Sequence, residues 1–176
     1  MAFLLFSFGN FSHAQENPED IALVDNQTED NFYEALKQRG IENYDKAIVA
    51  IQKCLEKEPK NPAFLYELGK NQLDLKNYVD AEISFKSAIE IDSKQRWYWN
   101  GLYDIYYQTK DFQKSIPIVE KLIEFDANMK EDLVSLYMNT NQHAKAFELL
   151  NNMESSSKLT RTMEFYKLRL LERNKL

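Results

Sequence analysis

The chain holds little of what catalysis or metal binding usually requires. It has one cysteine and two histidines among 176 residues. A single cysteine, Cys54, allows no intrachain disulfide. His13 and His143 stand far apart, without a paired Cys or acid at ligand spacing, so no metal site is expected. No Gly-rich phosphate loop and no nucleophile elbow occurs. Four glycines and four prolines are few, and favour long helices over many turns. Bases are also short: Lys and Arg total 22 against 28 acids, giving a formal charge of −6 and a pI near 5.1. Phosphate recognition needs a basic footprint, so nucleic acid is not an expected partner. No catalytic residue, metal or cofactor is assigned.

What the chain does have is enough apolar material for a core, with a hydrophobic content of 44%. It also has a period. Asn43-Tyr44, Asn77-Tyr78 and Asp111-Phe112 follow one another at 34-residue intervals. Ala47, Ala81 and Ser115 share one position of that period, and Ile51, Phe85 and Val119 another. Leu55, Ile89 and Ile123 share a third, and Glu58, Asp92 and Asp126 a fourth. A fixed interval of this size marks a stacked array of one supersecondary unit.

Each unit reads as a pair of helices. In the middle unit Phe64, Leu65, Leu68, Gly69 and Leu73 recur at three- and four-residue spacing, the period of a helix buried on one face. Asn77 then suits an N-cap, as do Asn43 and Asp111 in their units, because a short polar side chain accepts a free backbone N–H. Ala81, Phe85, Ala88 and Ile89 make the buried stripe of the second helix. Gly69, Ala81 and Ala88 are small enough for neighbouring backbones to approach.

This arrangement resembles the tetratricopeptide repeat (TPR), which has large–Leu–Gly/Ala–Tyr in its first helix, Ala–Phe/Tyr–Ala in its second, and then Pro. Residues 62–95 supply Leu65, Leu68, Gly69, Tyr78, Ala81, Phe85 and Ala88, with Ser93 in place of the closing proline. Residues 96–129 supply Trp99, Leu102, Tyr106, Phe112 and Leu122, with Tyr103 where Gly or Ala is usual. Residues 28–61 supply Ala35, Tyr44, Ala47, Ile51, Cys54 and Pro59, with Glu34 where Leu is expected. Residues 130–157 form a degenerate fourth unit from Leu133, Leu136, Tyr137, Ala146, Phe147, Leu150 and Met153, with a join between its helices about three residues short. The resemblance implies an all-α, right-handed superhelical array of antiparallel helix pairs, three to four repeats plus a terminal helix.

The resemblance also implies a groove lined by first-helix positions. Carried over, these are Phe32, Leu36 and Arg39, then Tyr66, Lys70 and Leu73, then Trp97, Asn100, Asp104 and Tyr107. The run Arg96-Trp97-Tyr98-Trp99 with Tyr103, Tyr106 and Tyr107 is the densest aromatic cluster of the chain. Trp99, Leu102 and Tyr106 fall at packing positions, whereas Trp97 and Tyr107 do not. Exposed aromatics in a groove suit peptide or helix recognition. The Lys/Asn pattern by which some TPRs clamp a chaperone's C-terminal carboxylate is missing, because Phe32, Tyr66 and Asn100 stand at the positions it would need. The expected function is a protein-interaction scaffold that takes a peptide or protein segment in the groove. The alternative is the repeat adaptor of a larger envelope enzyme or sensor continuing past Leu176. A carbohydrate site at the Trp/Tyr cluster is a more distant reading.

The ends carry their own expectations. Met1–Phe8 is apolar, and Ser12-His13-Ala14 before Gln15 resembles a small-x-small cleavage site, although no base precedes the apolar run. Residues 1–14 are therefore expected to be a signal peptide, as in exported bacterial TPR proteins. The mature protein would be periplasmic or extracellular and would not span the membrane. Residues 15–27 read as an acidic linker, and residues 15–34 carry seven acids and no base. Asn26-Gln27-Thr28 fits a glycosylation sequon, which matters only in a eukaryotic secretory route. Residues 158–176 carry six bases and two acids and form a C-terminal helix. One face holds Leu159, Met163, Tyr166 and Leu170. A second holds Phe165, Leu168 and Leu171, which await a further repeat or a partner.

Overall fold

In the computed structural model the backbone is described for residues 18–156 and 158–173, and side chains from residue 27 onward. Among the described residues there are nine α-helices and no strand. They are α1 (Pro18–Gly40), α2 (Tyr44–Lys57), α3 (Pro62–Asp74), α4 (Tyr78–Ile91), α5 (Arg96–Gln108), α6 (Phe112–Leu122), α7 (Lys130–Asn139), α8 (His143–Ser156) and α9 (Arg161–Arg173). A short 3-10 helix, Ala127–Met129, leads into α7. Each helix packs on its neighbours along the chain, and α3 also lies against α5. This is an array of helix pairs, with the first helices side by side.

One turn is built four times. Three residues separate α1 from α2, α3 from α4, α5 from α6 and α7 from α8. The middle residue has positive φ in each: Glu42, Lys76, Lys110 and Asn141. The next residue's N–H then reaches back five residues at 2.8 Å, from Asn43 to Gln38, Asn77 to Gln72, Asp111 to Tyr106 and Gln142 to Tyr137. This is a Schellman closure, which satisfies carbonyls that the helix end leaves free. None of the four residues is glycine, so each turn accepts the modest left-handed penalty of an L-residue.

The capping differs from the expectation. Asn43 and Asn77 stand at N-caps, but neither side chain bonds a backbone N–H. Asn77 instead donates to Asp80 Oδ2 at 2.6 Å. Asp111 does cap, accepting from Lys114 N at 3.2 Å. Asn61 caps α3 through Ala63 N at 3.0 Å and Phe64 N at 3.4 Å.

Three further expectations change. Residues 18–27, read as part of a linker, belong to α1. Pro18 at its first position loses no helical hydrogen bond. The three-residue deficit of the fourth unit does not lie between its helices, where the turn is standard. It lies before them: α6 has 11 residues where α2 and α4 have 14. His143, expected to stand without a partner, has one. It begins α8, and its Nε2 lies 2.6 Å from Arg173 Nη1 of α9, so the imidazole accepts from the guanidinium.

The core is three clusters in series. Ala35, Ala50, Ile51, Cys54 and Phe64 join α1, α2 and α3. Ala81, Phe85, Leu102, Ile105, Tyr106, Ile118 and Leu122 join α4, α5 and α6. The third runs from Ile116 and Val119 through α7 and α8 to Leu159, just before the last helix, and to Met163 and Leu170 within it. Cys54 is fully buried, donates to Thr28 O at 3.4 Å, and burial pushes its thiol pKa up. A buried thiol of raised pKa is a packing residue and a poor nucleophile.

The two glycine contacts on Phe85 fix the middle of the array. A Cβ on Gly69 would stand 2.8 Å from the Phe85 ring, and one on Gly101 would stand 2.6 Å from it. Phe85 is thus clasped between α3 and α5. Gly101 takes the small-residue role that Tyr103, two positions later, cannot take. Tyr103 turns its hydroxyl to Asp132 Oδ1 at 3.3 Å and so links α5 to α7.

Candidate functional site

The residues assigned to the groove lie on the first helices of their units, α1, α3 and α5. Trp97, Asn100, Asp104 and Tyr107 share one face of α5 at three- and four-residue steps. Trp97 is 58% exposed and Tyr107 is 59% exposed. The two stand about 15 Å apart along the axis at helical rise, so they mark opposite ends of the strip. Arg96 sits over the Trp97 ring, 5.7 Å from its centroid, and Tyr103 lies 5.8 Å from Tyr107.

Neighbouring first helices meet at the same face. Arg39 of α1 pairs with Asp74 of α3 at 2.8 Å. Tyr66 of α3 lies 5.3 Å from the Tyr98 ring of α5 and 5.8 Å from Phe85. Lys70 covers the Tyr66 ring at 5.1 Å and pairs with Glu67 at 2.8 Å. Burial pushes the Tyr66 phenol up. The charges of Glu67 and Asp104 add to that shift, and Arg39 opposes it. Side chains from α1, α3 and α5 therefore share one electrostatic neighbourhood around Tyr66. Asp104 keeps contact with solvent, yet the protein around it raises its carboxyl pKa.

Not every assigned residue is free for a ligand. Phe32 is half-buried, with its ring 5.3 Å from Phe64, and packs on the first core cluster. Tyr66 and Leu73 pack in the same way on the second cluster. These three build the floor of the face. Leu36, Trp97, Asp104 and Tyr107 stand out from it, and Arg39, Lys70 and Asn100 are half-buried.

Sequence reasoning placed Leu133, Leu136 and Tyr137 of α7 in a fourth unit but named no site residue on that helix. Counting back from the four positive-φ residues, Ala127 corresponds to Pro62 and Arg96. Glu131, Ser135 and Met138 then take the places held in α5 by Asn100, Asp104 and Tyr107. The signal was present in the sequence, but the deficit in α6 hid it.

Among the described residues no group of three His, Cys, Asp or Glu side chains is placed to hold a metal ion. No described helix is long and apolar enough to cross a membrane.

The units on either side of Phe85 decide the family. Residues 42–98 match the tetratricopeptide-repeat family model, and the helix pairs, turns and packing positions described above extend the pattern along the array. The chain carries tetratricopeptide repeats, and its helix pairs have the TPR fold. A curated relative, an N-terminal acetyltransferase A complex subunit-like protein of Schizosaccharomyces pombe, is 31% identical over 85 residues. That stretch is 48% of this chain, and it spans only 12% of the relative's length. Among solved structures, MamA superposes with a TM-score of 0.65 at 22% identity, covering 86% of this chain and 90% of its own. The first TPR of Spaghetti (RPAP3), bound to an HSP90 peptide, gives 0.60 at 15% identity, covering 66% of this chain and 94% of its own. At such identities the solved structures establish the TPR fold alone. Phe32 and Tyr66, at two of the positions a chaperone-type clamp would need, pack against the rings of Phe64 and Tyr98.

Proposed function

We propose that this TPR array is a protein-interaction scaffold that holds a peptide or protein segment along the face formed by α1, α3, α5 and α7. The observation that carries the reading is the exposure of Trp97 and Tyr107, 58% and 59%, on a helix whose other aromatics are mostly packed. Large amphipathic rings left in solvent are the residues that most often anchor a partner. The RPAP3 structure holds a bound peptide, which supports the use of such an array for peptides. The match to a subunit-like protein over a small part of that relative's length supports a second reading, in which these repeats are the adaptor of a larger assembly. In neither reading does the chain carry out catalysis.

The double variant Trp97→Ala/Tyr107→Ala tests the first reading. Expected are an unchanged helical circular dichroism spectrum, a melting temperature near that of the wild type, and partner affinity lower by about tenfold or more, the scale of one interface anchor. A melt well below wild type would assign both rings to packing, and undiminished retention of the captured partner would empty the face of function.

Export belongs to the same proposal. Residues 1–14 lie outside the described residues, and the reading rests on Ser12-His13-Ala14 before Gln15. Mass spectrometry of protein from its native cell should find a mature chain starting at Gln15. An intact Met1 would place the scaffold inside the cell.

A further inference from the structure

The last helix is in register as a first helix. α9 begins at Arg161, 34 residues after Ala127, which corresponds to Pro62 and Arg96. Burial keeps the same register. Phe64, Tyr98 and Met163 share one position and are buried, as are Ile105, Leu136 and Leu170 at another. In α9 these residues pack on the cluster of α7 and α8. Two other positions of each first helix meet the second helix of the same unit. At one, Gln72 accepts from Ser84 Oγ of α4 at 2.7 Å. At the same position Lys114 of α6 covers the Tyr106 ring at 5.4 Å, and Lys145 of α8 covers the Tyr137 ring at 5.5 Å. At the other, Gly69 meets the Phe85 ring of α4, and Val134 is fully buried in one cluster with Leu150 of α8. In α9 these two positions hold Leu171 and Leu168, which are 38% and 60% exposed. With Leu159 and Lys167 they border a shallow depression.

A joint made the same way in successive units defines what fits its next copy. Each second helix brings a small residue and, one turn later, a larger apolar one. Ala81 with Phe85, Ser115 with Val119, and Ala146 with Leu150 are all fully buried. Size is shared across the joint. Gly69 meets an aromatic ring, whereas the bulkier Tyr103 and Val134 share their cluster with aliphatic Val119 and Leu150. Leu168 is bulky too, so its complement is aliphatic. We propose that the Leu168–Leu171 face takes an amphipathic α-helix of a partner protein, with alanine or serine against α9 and leucine, isoleucine or valine four residues on. Such a helix reads a groove through apolar anchors at helical spacing, and here it completes a fifth helix pair in trans. A second copy of this chain has no such helix to lend, because its own small–large pairs are already buried in their units. The surface lies apart from the binding face proposed above and does not depend on it.

A fluorescein-labelled peptide of the α8 sequence, residues 143–156, tests it against the full chain by fluorescence anisotropy. A lactam bridge on its polar face holds it helical, which removes the ordering cost of a short helix. Saturable binding is expected. Leu168→Gln/Leu171→Gln in the chain should weaken it by about tenfold or more without moving the melt. The peptide carrying Ala146→Gln/Leu150→Gln should bind no better than that. Val79 and Ile83 form another exposed apolar pair, on α4, and Val79→Gln/Ile83→Gln should leave binding unchanged. Equal loss in the two chain variants overturns the proposal, as does a peptide that fails to bind or that binds without its Ala146–Leu150 pair. Binding indifferent to Leu168→Gln/Leu171→Gln places the peptide on α7 in exchange for α8, and also overturns it. Sedimentation equilibrium of the chain alone should show a monomer. Self-association that Leu168→Gln/Leu171→Gln abolishes would give the face to a second copy instead. If the native polypeptide runs on into a second helix of its own and that longer chain refuses the peptide, the face belongs to that segment and the proposal falls.

Discussion

Phe85→Ala should destabilise this protein by about 3–5 kcal/mol, the range for removing a buried phenylalanine. Phe85 has no exposed surface, and its ring is held between the backbones of α3 and α5 at Gly69 and Gly101. Two glycines in helix interiors cost propensity, roughly 1 kcal/mol each relative to alanine, and the ring is what repays that cost. Without it the two helices face a cavity they cannot close, because their own backbones are its walls. The loss should also show in the shape of the melt. Phe85 belongs to the middle cluster, and the first and third clusters share none of its buried residues. In an array stabilised by nearest-neighbour contacts, weakening the middle uncouples the ends. Thermal unfolding followed by circular dichroism should therefore broaden or split into two transitions. A single sharp transition within a degree or so of wild type would mean that Phe85 is not the clasp.

Ala81→Leu tests the same joint from the opposite side, by adding volume. Ala81 has no exposed surface and sits in the cluster of Phe85, Leu102, Ile105 and Tyr106. A leucine there must push α4 away from its neighbours or force strained rotamers, at about 1–3 kcal/mol. At roughly 2–4 °C per kcal/mol for a chain of this size, the melting temperature should fall by several degrees. Val79, on the same helix, is exposed, and Val79→Leu should leave the melt alone. Equal melts for the two variants would show that the small residue at 81 is not required for close approach. The two experiments bracket one claim, that the middle unit is packed to its limit in both directions.

These effects depend on residues that differ in how openly the sequence declares them. Ala81 and Phe85 recur at the family's positions, and their burial follows from period alone. Gly101 does not, since the small position of its unit falls two residues later, on Tyr103. Only the direction of the Phe85 ring shows that α5 must open at Gly101. The groove was similarly half-legible. Trp97 and Tyr107 were singled out as aromatics that packing did not need, and both are exposed. Phe32, Tyr66 and Leu73 were placed beside them by position, and the structure uses all three to cover the core. The position of a residue on a helix face gives its direction from the axis, but its depth depends on what the next helix brings.

The sequence by itself determined the unit, its period and its turns, because these are local. Helix stripes are fixed by 3.6-residue geometry. The Schellman closures need only a left-handed residue after each first helix, and the same three-residue spacing supplies it at Glu42, Lys76, Lys110 and Asn141. Tertiary structure alone decided two things: that the deficit of the fourth unit is absorbed at the end of α6, and that Tyr103 of α5 is tied to Asp132 of α7. Each depends on distances between residues of different helices. Such distances follow from how side-chain volumes stack across the array, and no interval along the chain records them.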